Sequence, residues 1–173
     1  MSSMTIVGMS ALAALIVGGI AVPASAQTAK AALKDANGKE IGAITMTQTG
    51  AGLLINLTVS GLPAGEHAMH IHAVGLCEAP FTTAGGHFNP GDKKHGMLAP
   101  DGQHAGDMPN LHVPASGEIS VEVLNAAITL DKGKPNSVFD TDGSAVVIHA
   151  GKDDYKTDPT GDAGGRSACG VIQ

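Results

Sequence analysis

Residues 53–60 read Leu53-Leu54-Ile55-Asn56-Leu57-Thr58-Val59-Ser60. In an extended chain Leu53, Ile55, Leu57 and Val59 fall on one side and Leu54, Asn56, Thr58 and Ser60 on the other, the period-two pattern of a half-buried β-strand. The alternation returns where Ile119, Val121 and Val123 are interleaved with Glu118, Ser120 and Glu122. The stretches 28–35, 39–48, 64–72 and 144–149 also read as strands, each bounded by Gly, Pro, Asn or Asp. Tight turns are expected at Asn37-Gly38, Thr49-Gly50 and Asp142-Gly143. Beyond residue 29 no segment keeps a 3.6-residue apolar stripe, and the 24 glycines and nine prolines suit a turn-rich chain. Short, closely spaced strands predict an all-β sandwich or barrel.

Outward from those strands, two long stretches break the pattern. Residues 73–110 and 150–166 are rich in Gly, Pro and Asp and poor in aliphatic side chains. Irregular stretches of that length are uncommon in a compact domain unless they carry function. At the other extreme, residues 1–29 hold no charged side chain, and the run from Ile6 to Val22 is interrupted only by Ser10 before Pro23-Ala24-Ser25-Ala26. An apolar run followed by a small-residue site is a secretory signal, with cleavage expected before Gln27. A membrane anchor is the competing reading, and it asks for ~20 apolar residues, slightly more than are present. The chain therefore divides into a signal peptide, 1–26, and one domain, 27–173.

A net charge of −6 and four aromatic residues (Phe81, Phe88, Phe139 and Tyr155) leave neither a basic footprint nor a stacking platform, so nucleic acid is not the partner. Mean hydropathy of +0.12 argues against disorder. The two cysteines, Cys77 and Cys169, suit one disulfide in an exported protein.

Eight histidines stand out. His70 and His72 flank Ile71 in an expected strand, so both imidazoles point to one face while Ile71 can point to the core. His149 ends another expected strand and can approach the same face. His87, His95, His104 and Asp107 lie in the first long loop. Imidazoles suit zinc and copper, and three imidazoles with a carboxylate suit zinc. His67 falls on the opposite face from His70 and reads as a structural hydrogen-bonding group; His112 reads as a solvated side chain. Spacing alone makes a metal site but does not choose the metal.

Taken in order, His70-Ile71-His72, Gly86-His87-Phe88-Asn89-Pro90, Lys94-His95-Gly96, His104-Ala105-Gly106-Asp107, Val147-Ile148-His149 and Gly165-Arg166-Ser167-Ala168-Cys169-Gly170-Val171-Ile172 resemble the copper/zinc superoxide dismutase family. The likeness runs from about residue 30 to the end. Asp107-Met108-Pro109-Asn110, Asp153-Asp154-Tyr155 and the short gap from His72 to Cys77 resemble the bacterial, exported branch, which implies a periplasmic location. The resemblance implies an eight-stranded flattened Greek-key β-barrel, an immunoglobulin-like sandwich with a long metal-binding loop and a long electrostatic loop. It assigns copper to His70, His72, His87 and His149, and zinc to His87, His95, His104 and Asp107, with His87 bridging. Asp153 matches a carboxylate that accepts hydrogen bonds from His70 and His95 and so fixes the rings. The implied reaction is disproportionation of superoxide to O₂ and H₂O₂ by Cu(II)/Cu(I) cycling, with His87 and Arg166 as the catalytic side chains. Arg166 would attract and orient the anion, helped by some of Lys93, Lys94, Lys152 and Lys156. A membrane-inserted mature form is not expected, and the resemblance leaves room for a homodimer.

A different class of protein fits the same residues, namely an exported dismutase-like protein that buffers copper or zinc without turnover. A missing ligand or a missing arginine would favour it, and here all seven ligands and Arg166 are present. A cupin also uses His-x-His but wants a glutamate three or four residues on, whereas Glu78 is too distant. No His-Glu-x-x-His of a hydrolytic zinc enzyme occurs.

Overall fold

The computed structural model describes Met1 and residues 26–173; the expected signal peptide lies almost wholly outside the described residues. Nine strands make up the domain: β1 (Thr28–Asp35), β2 (Glu40–Thr49), β3 (Gly52–Ser60), β4 (Gly65–His67), β5 (Met69–His72), β6 (Leu111–Val113), β7 (Glu118–Asn125), β8 (Ala145–His149) and β9 (Arg166–Val171). One short 3₁₀ turn, Thr82–Ala84, is the only helical element among the described residues. Seven strands form a curled antiparallel sheet in the order β5-β8-β9-β1-β2-β3-β7, and β4 pairs with β6. The expected strand 64–72 is present as two pieces, β4 and β5, which pair with different neighbours on either side of Ala68. Counted as one strand they give the eight of the expected barrel.

The alternation that predicted β3 is what builds the core. Leu53, Ile55, Leu57 and Val59 are buried, and the register sets Ile55 against Met46 and Leu57 against Ile44, both also buried. Those cross-strand apolar pairs fix the register, because a one-residue slip would turn every core side chain to solvent. The expected turn at Asn37-Gly38 forms with Gly38 at φ +80°, whereas the next turn sits one residue later than expected, at Gly50-Ala51.

Two strands escaped the sequence pattern. β6 is too short to show a period, and β9 is made of small residues, with Gly170 so close to the Ala32 carbonyl that a side chain there would overlap it. The second long loop therefore ends at residue 165, not 166.

β5 and β8 differ from the other strands in being buried on both faces. Met69, Ile71, Val146 and Ile148 pack into the main core. The opposite face carries His70, His72, Val147 and His149, and the two long loops cover it. β5 is the last strand of the sheet, and the first loop closes its open edge. The amide of Phe88 donates to the Ile71 carbonyl and that of Ile71 to the Gly106 carbonyl, both within 2.9 Å. Such bonds satisfy an edge that would otherwise be exposed, and they bring His87 beside His72 and Asp107 beside His70.

Cys77 and Cys169 form a disulfide spanning 92 residues, with Cα atoms 5.6 Å apart. Closing so long a loop restricts the unfolded chain by about 4–5 kcal/mol on the chain-entropy account. It ties the start of the first loop to β9.

Candidate metal centre

All the expected ligands are buried, and they gather into two sets: His70, His72, His87 and His149, and His87, His95, His104 and Asp107. His87 belongs to both. Within each set one donor atom per residue lies within 4.8 Å of the others.

The outer hydrogen bonds fix which ring nitrogen faces inward. A carbonyl or carboxylate oxygen only accepts, so the nitrogen facing it carries the proton and leaves a lone pair on its partner. His72 Nδ1 donates to the Gly85 carbonyl at 3.0 Å and His149 Nδ1 to the Gly164 carbonyl at 3.4 Å. Their Nε2 atoms then face each other at 3.4 Å as two acceptors with no proton to share. His70 Nε2 donates to Asp153 Oδ2 at 2.7 Å and His95 Nε2 to Asp153 Oδ1 at 3.0 Å, which leaves Nδ1 of His70 an acceptor, and Nδ1 of His95 one once that ring gives up its second proton. Asp153 thus orients one ring of each set.

Those inward lone pairs meet no hydrogen-bond donor. His70 Nδ1, His87 Nε2 and His95 Nδ1 are buried and make no well-aligned hydrogen bond, the last lying beside Asp107 Oδ1 only as an ion pair; among the described residues Ser144 Oγ is the one other such side-chain atom. Each orphan costs about 1–3 kcal/mol, and three in one place make sense as donors to a cation. In the second set, His87 Nδ1 and His95 Nδ1 are each 3.1 Å from Asp107 Oδ1, His104 Nδ1 is 3.4 Å from it, and His104 Nδ1 is 3.3 Å from His87 Nδ1. A tetrahedral ion with bonds of about 2.0–2.1 Å has ligand–ligand edges of about 3.3–3.4 Å. The residues therefore fit zinc. Asp107 Oδ2 accepts from the amides of Gly96 and His104, both at 3.0 Å, so only Oδ1 is offered to the set.

Three of the rings favour the unprotonated, ligating form and His95 favours the protonated one. Burial pushes His72 down to about 2, His149 to about 3 and His87 to about 4. For His95 burial is the largest single effect and lowers the pKa, yet Asp107 and Asp153 together outweigh it and hold the ring up to about 9. Burial raises Asp107 and Asp153, but hydrogen bonds from His104, His87 and His95 to the former, and from His70 and His95 to the latter, hold both well below the usual carboxylate range. A bound cation would take the place of the proton on His95.

Arg166 opens β9 opposite His149 and reaches back to the disulfide loop, donating to the Phe81 carbonyl and, at 2.6 Å, to the Gly85 carbonyl. Gly85 also receives His72, so one carbonyl anchors both residues. With His72, His87 and His149, Arg166 lines a cavity of about 480 Å³ whose rim includes Thr160 and Asp162. None of the four expected lysines lines it. Lys94 is paired with Asp158, and Lys152 lies 3.7 Å from Glu66. His67 bonds the His149 and Pro63 carbonyls, and His112 is exposed beside Glu66, as the sequence suggested for both. The sequence reading missed Asp158, Gly85 and Asn110. The Asn110 side chain pairs with both the amide and the carbonyl of Asp153. Only an Asp-Met-Pro-Asn likeness marked Asn110 beforehand.

A curled β-barrel whose edge strand gives two histidines to one set, with the loop along that edge giving the second set and the ring that both share, has the donors of a binuclear metal centre. The profile of the family described as copper/zinc superoxide dismutase (SODC) matches residues 40–172. The chain belongs to that family. It is 54% identical to "Superoxide dismutase [Cu-Zn] 1" of Aquifex aeolicus, over 79% of this chain and 82% of that protein. Among solved structures it resembles a superoxide dismutase-like protein from Bacillus subtilis, with TM-score 0.79 and 39% identity over 82% of this chain and 96% of the other. It also resembles the Cu/Zn superoxide dismutase of Brucella abortus, with TM-score 0.69 and 30% identity over 85% of this chain and all of the other.

Proposed function

We propose that residues 27–173 form an exported superoxide dismutase, converting two superoxide anions and two protons to O₂ and H₂O₂. His70, His72, His87 and His149 hold copper; His87, His95, His104 and Asp107 hold zinc. The observation that carries the reading is His87, whose Nδ1 sits among the zinc donors while its buried Nε2 has no partner except what the other set would bind. Copper supplies a one-electron couple able to accept an electron from one superoxide and return it to the next.

The chain's own residues do the rest. His87 keeps one ring between the two sets; uncharged at neutral pH, it has one free lone pair, and to give a nitrogen to each set it would also lose its remaining N–H as both metals bind. Asp153 holds His70 and His95 in the tautomers that point their lone pairs inward. The Gly85 carbonyl does the same for His72 and sets the distance between that ring and the Arg166 guanidinium. Arg166 attracts and orients the anion. Its field is local and runs against a net charge of −6, as a charged cleft can.

Metal analysis of the purified mature protein should find copper and zinc, one of each per chain, and superoxide should be consumed in proportion to copper. Metal retained without superoxide consumption would instead identify a metal-buffering relative.

Export is the second part of the proposal. The apolar run Ile6–Val22 followed by Ala24-Ser25-Ala26 supports cleavage before Gln27 and delivery to the periplasm, where a disulfide persists. Among the described residues no helix is long and apolar enough to cross a membrane. The intact mass of the secreted product should begin at Gln27 and be two hydrogens lighter than the reduced chain. A membrane-bound product that retains Met1 would refute this.

A further inference from the structure

We infer that Asp158 is a positioning residue for the zinc half of the centre, acting on His95 through its backbone amide. Asp158 Oδ1 accepts the His95 N–H at 2.8 Å across 63 residues of sequence, and Oδ2 accepts from the Lys94 ammonium at 3.0 Å. The same loop supplies Asp153, whose Oδ1 receives the far nitrogen of the His95 ring at 3.0 Å. Two carboxylates of one loop therefore grip one ligand at both ends. With the amide and Nε2 both held, the ring has little freedom left, and Nδ1 faces Asp107 Oδ1 at 3.1 Å.

The surrounding backbone is shaped for this grip. Gly96, at φ +102°, lies so close to the Tyr155 carbonyl that a Cβ would overlap it. A Cβ on Gly161, at φ +66°, would overlap the Asp153 carboxylate. The two loops thus meet main chain to main chain beside His95, and Asp158 spans the contact together with Asp153.

Magnitudes separate the two bonds that Asp158 makes. The pair with Lys94 is exposed at both ends, with side-chain accessibilities of 67% and 37%, and exposed pairs of this kind contribute little. The bond to the His95 amide is partly buried and acts directly on a ligand. Residues that orient metal ligands from outside commonly change metal affinity by about 10–100-fold.

The inference rests on the zinc assignment above. The test uses the mature protein loaded with both metals, and reads zinc affinity by competition with a colorimetric chelator and copper content in parallel. Asp158→Ala should weaken zinc about tenfold, at the low end of that range, and leave copper unchanged, because His95 belongs to the zinc set alone. Asp158→Asn keeps an oxygen to accept the His95 N–H and should restore most of the affinity; Lys94→Ala should be neutral. Wild-type zinc affinity in Asp158→Ala would overturn the inference, as would parallel loss of zinc and copper, or Lys94→Ala weakening zinc as much as Asp158→Ala does. Wild-type protein that takes up no zinc would overturn the underlying zinc assignment as well, so the two failures read differently.

Discussion

Replacing His87 with alanine should cost the protein both metals at once. His87 is the one residue common to the two donor sets, so its loss takes a ligand from each and leaves three. The sets also brace each other through it, since the His87 ring packs on His70 with centroids 4.0 Å apart and lies 5.4 Å from His104. Side chains that merely orient a ligand change metal affinity about 10–100-fold; removing a shared ligand should do at least as much at both positions. Superoxide consumption should fall with the copper by on the order of a hundredfold or more. His104→Ala is the control. It belongs only to the second set, so zinc should drop while copper stays near wild type. Inductively coupled plasma analysis of both variants after identical loading decides the matter. If the two variants lose zinc alone and to the same extent, His87 is not shared, and the binuclear reading fails with it.

Much of this centre is legible in the sequence alone, and the reason is local. His70, His72 and His149 lie on strands, and a strand's period puts alternate residues on one face whatever the rest of the chain does. The core of β3 was legible for the same reason. The loop residues are different. His87 and Asp107 reach the histidine face because residues 86–88 and 106 lie along the open edge of β5, and nothing periodic in residues 73–110 encodes that path. Resemblance to a family supplied it instead. Asp158 has no signal of either kind, since its contact with His95 spans 63 residues and an aspartate in an acidic loop looks like any solvated charge. The lysines show the converse. Lys94 and Lys152 suited an anion-steering role by sequence, yet neither lines the cavity and each lies beside an acidic side chain.

That leaves Arg166 as the cationic side chain lining the cavity beside His72, His87 and His149, with the Asp162 carboxylate on the same rim. Capture of a small anion is limited by encounter, for which the ceiling is about 10⁸–10⁹ M⁻¹s⁻¹, and a fixed cation raises the anion's local concentration. Arg166→Ala should lower kcat/KM by on the order of tenfold, equivalent to ~1.4 kcal/mol of lost stabilisation. Arg166→Glu should cost more, because it puts a second carboxylate in the lining of the cavity that Asp162 also lines and turns an attractive mouth into a repulsive one. Salt should then reverse its effect. It should slow the wild type by screening attraction over about 8 Å at physiological ionic strength, and should speed the Glu variant by screening repulsion. The hydrogen bonds to the Phe81 and Gly85 carbonyls give Arg166 a second job, holding the loop that also anchors His72, so copper must be measured in every variant. Arg166→Lys separates the two, since it keeps the charge and loses the planar fork that reaches both carbonyls. Activity retained in the Lys variant and lost in a copper-replete Glu variant assigns Arg166 to the anion. Wild-type rates in a copper-replete Glu variant would rule that out, and copper lost from Ala, Glu and Lys variants alike would make Arg166 a brace for the loop.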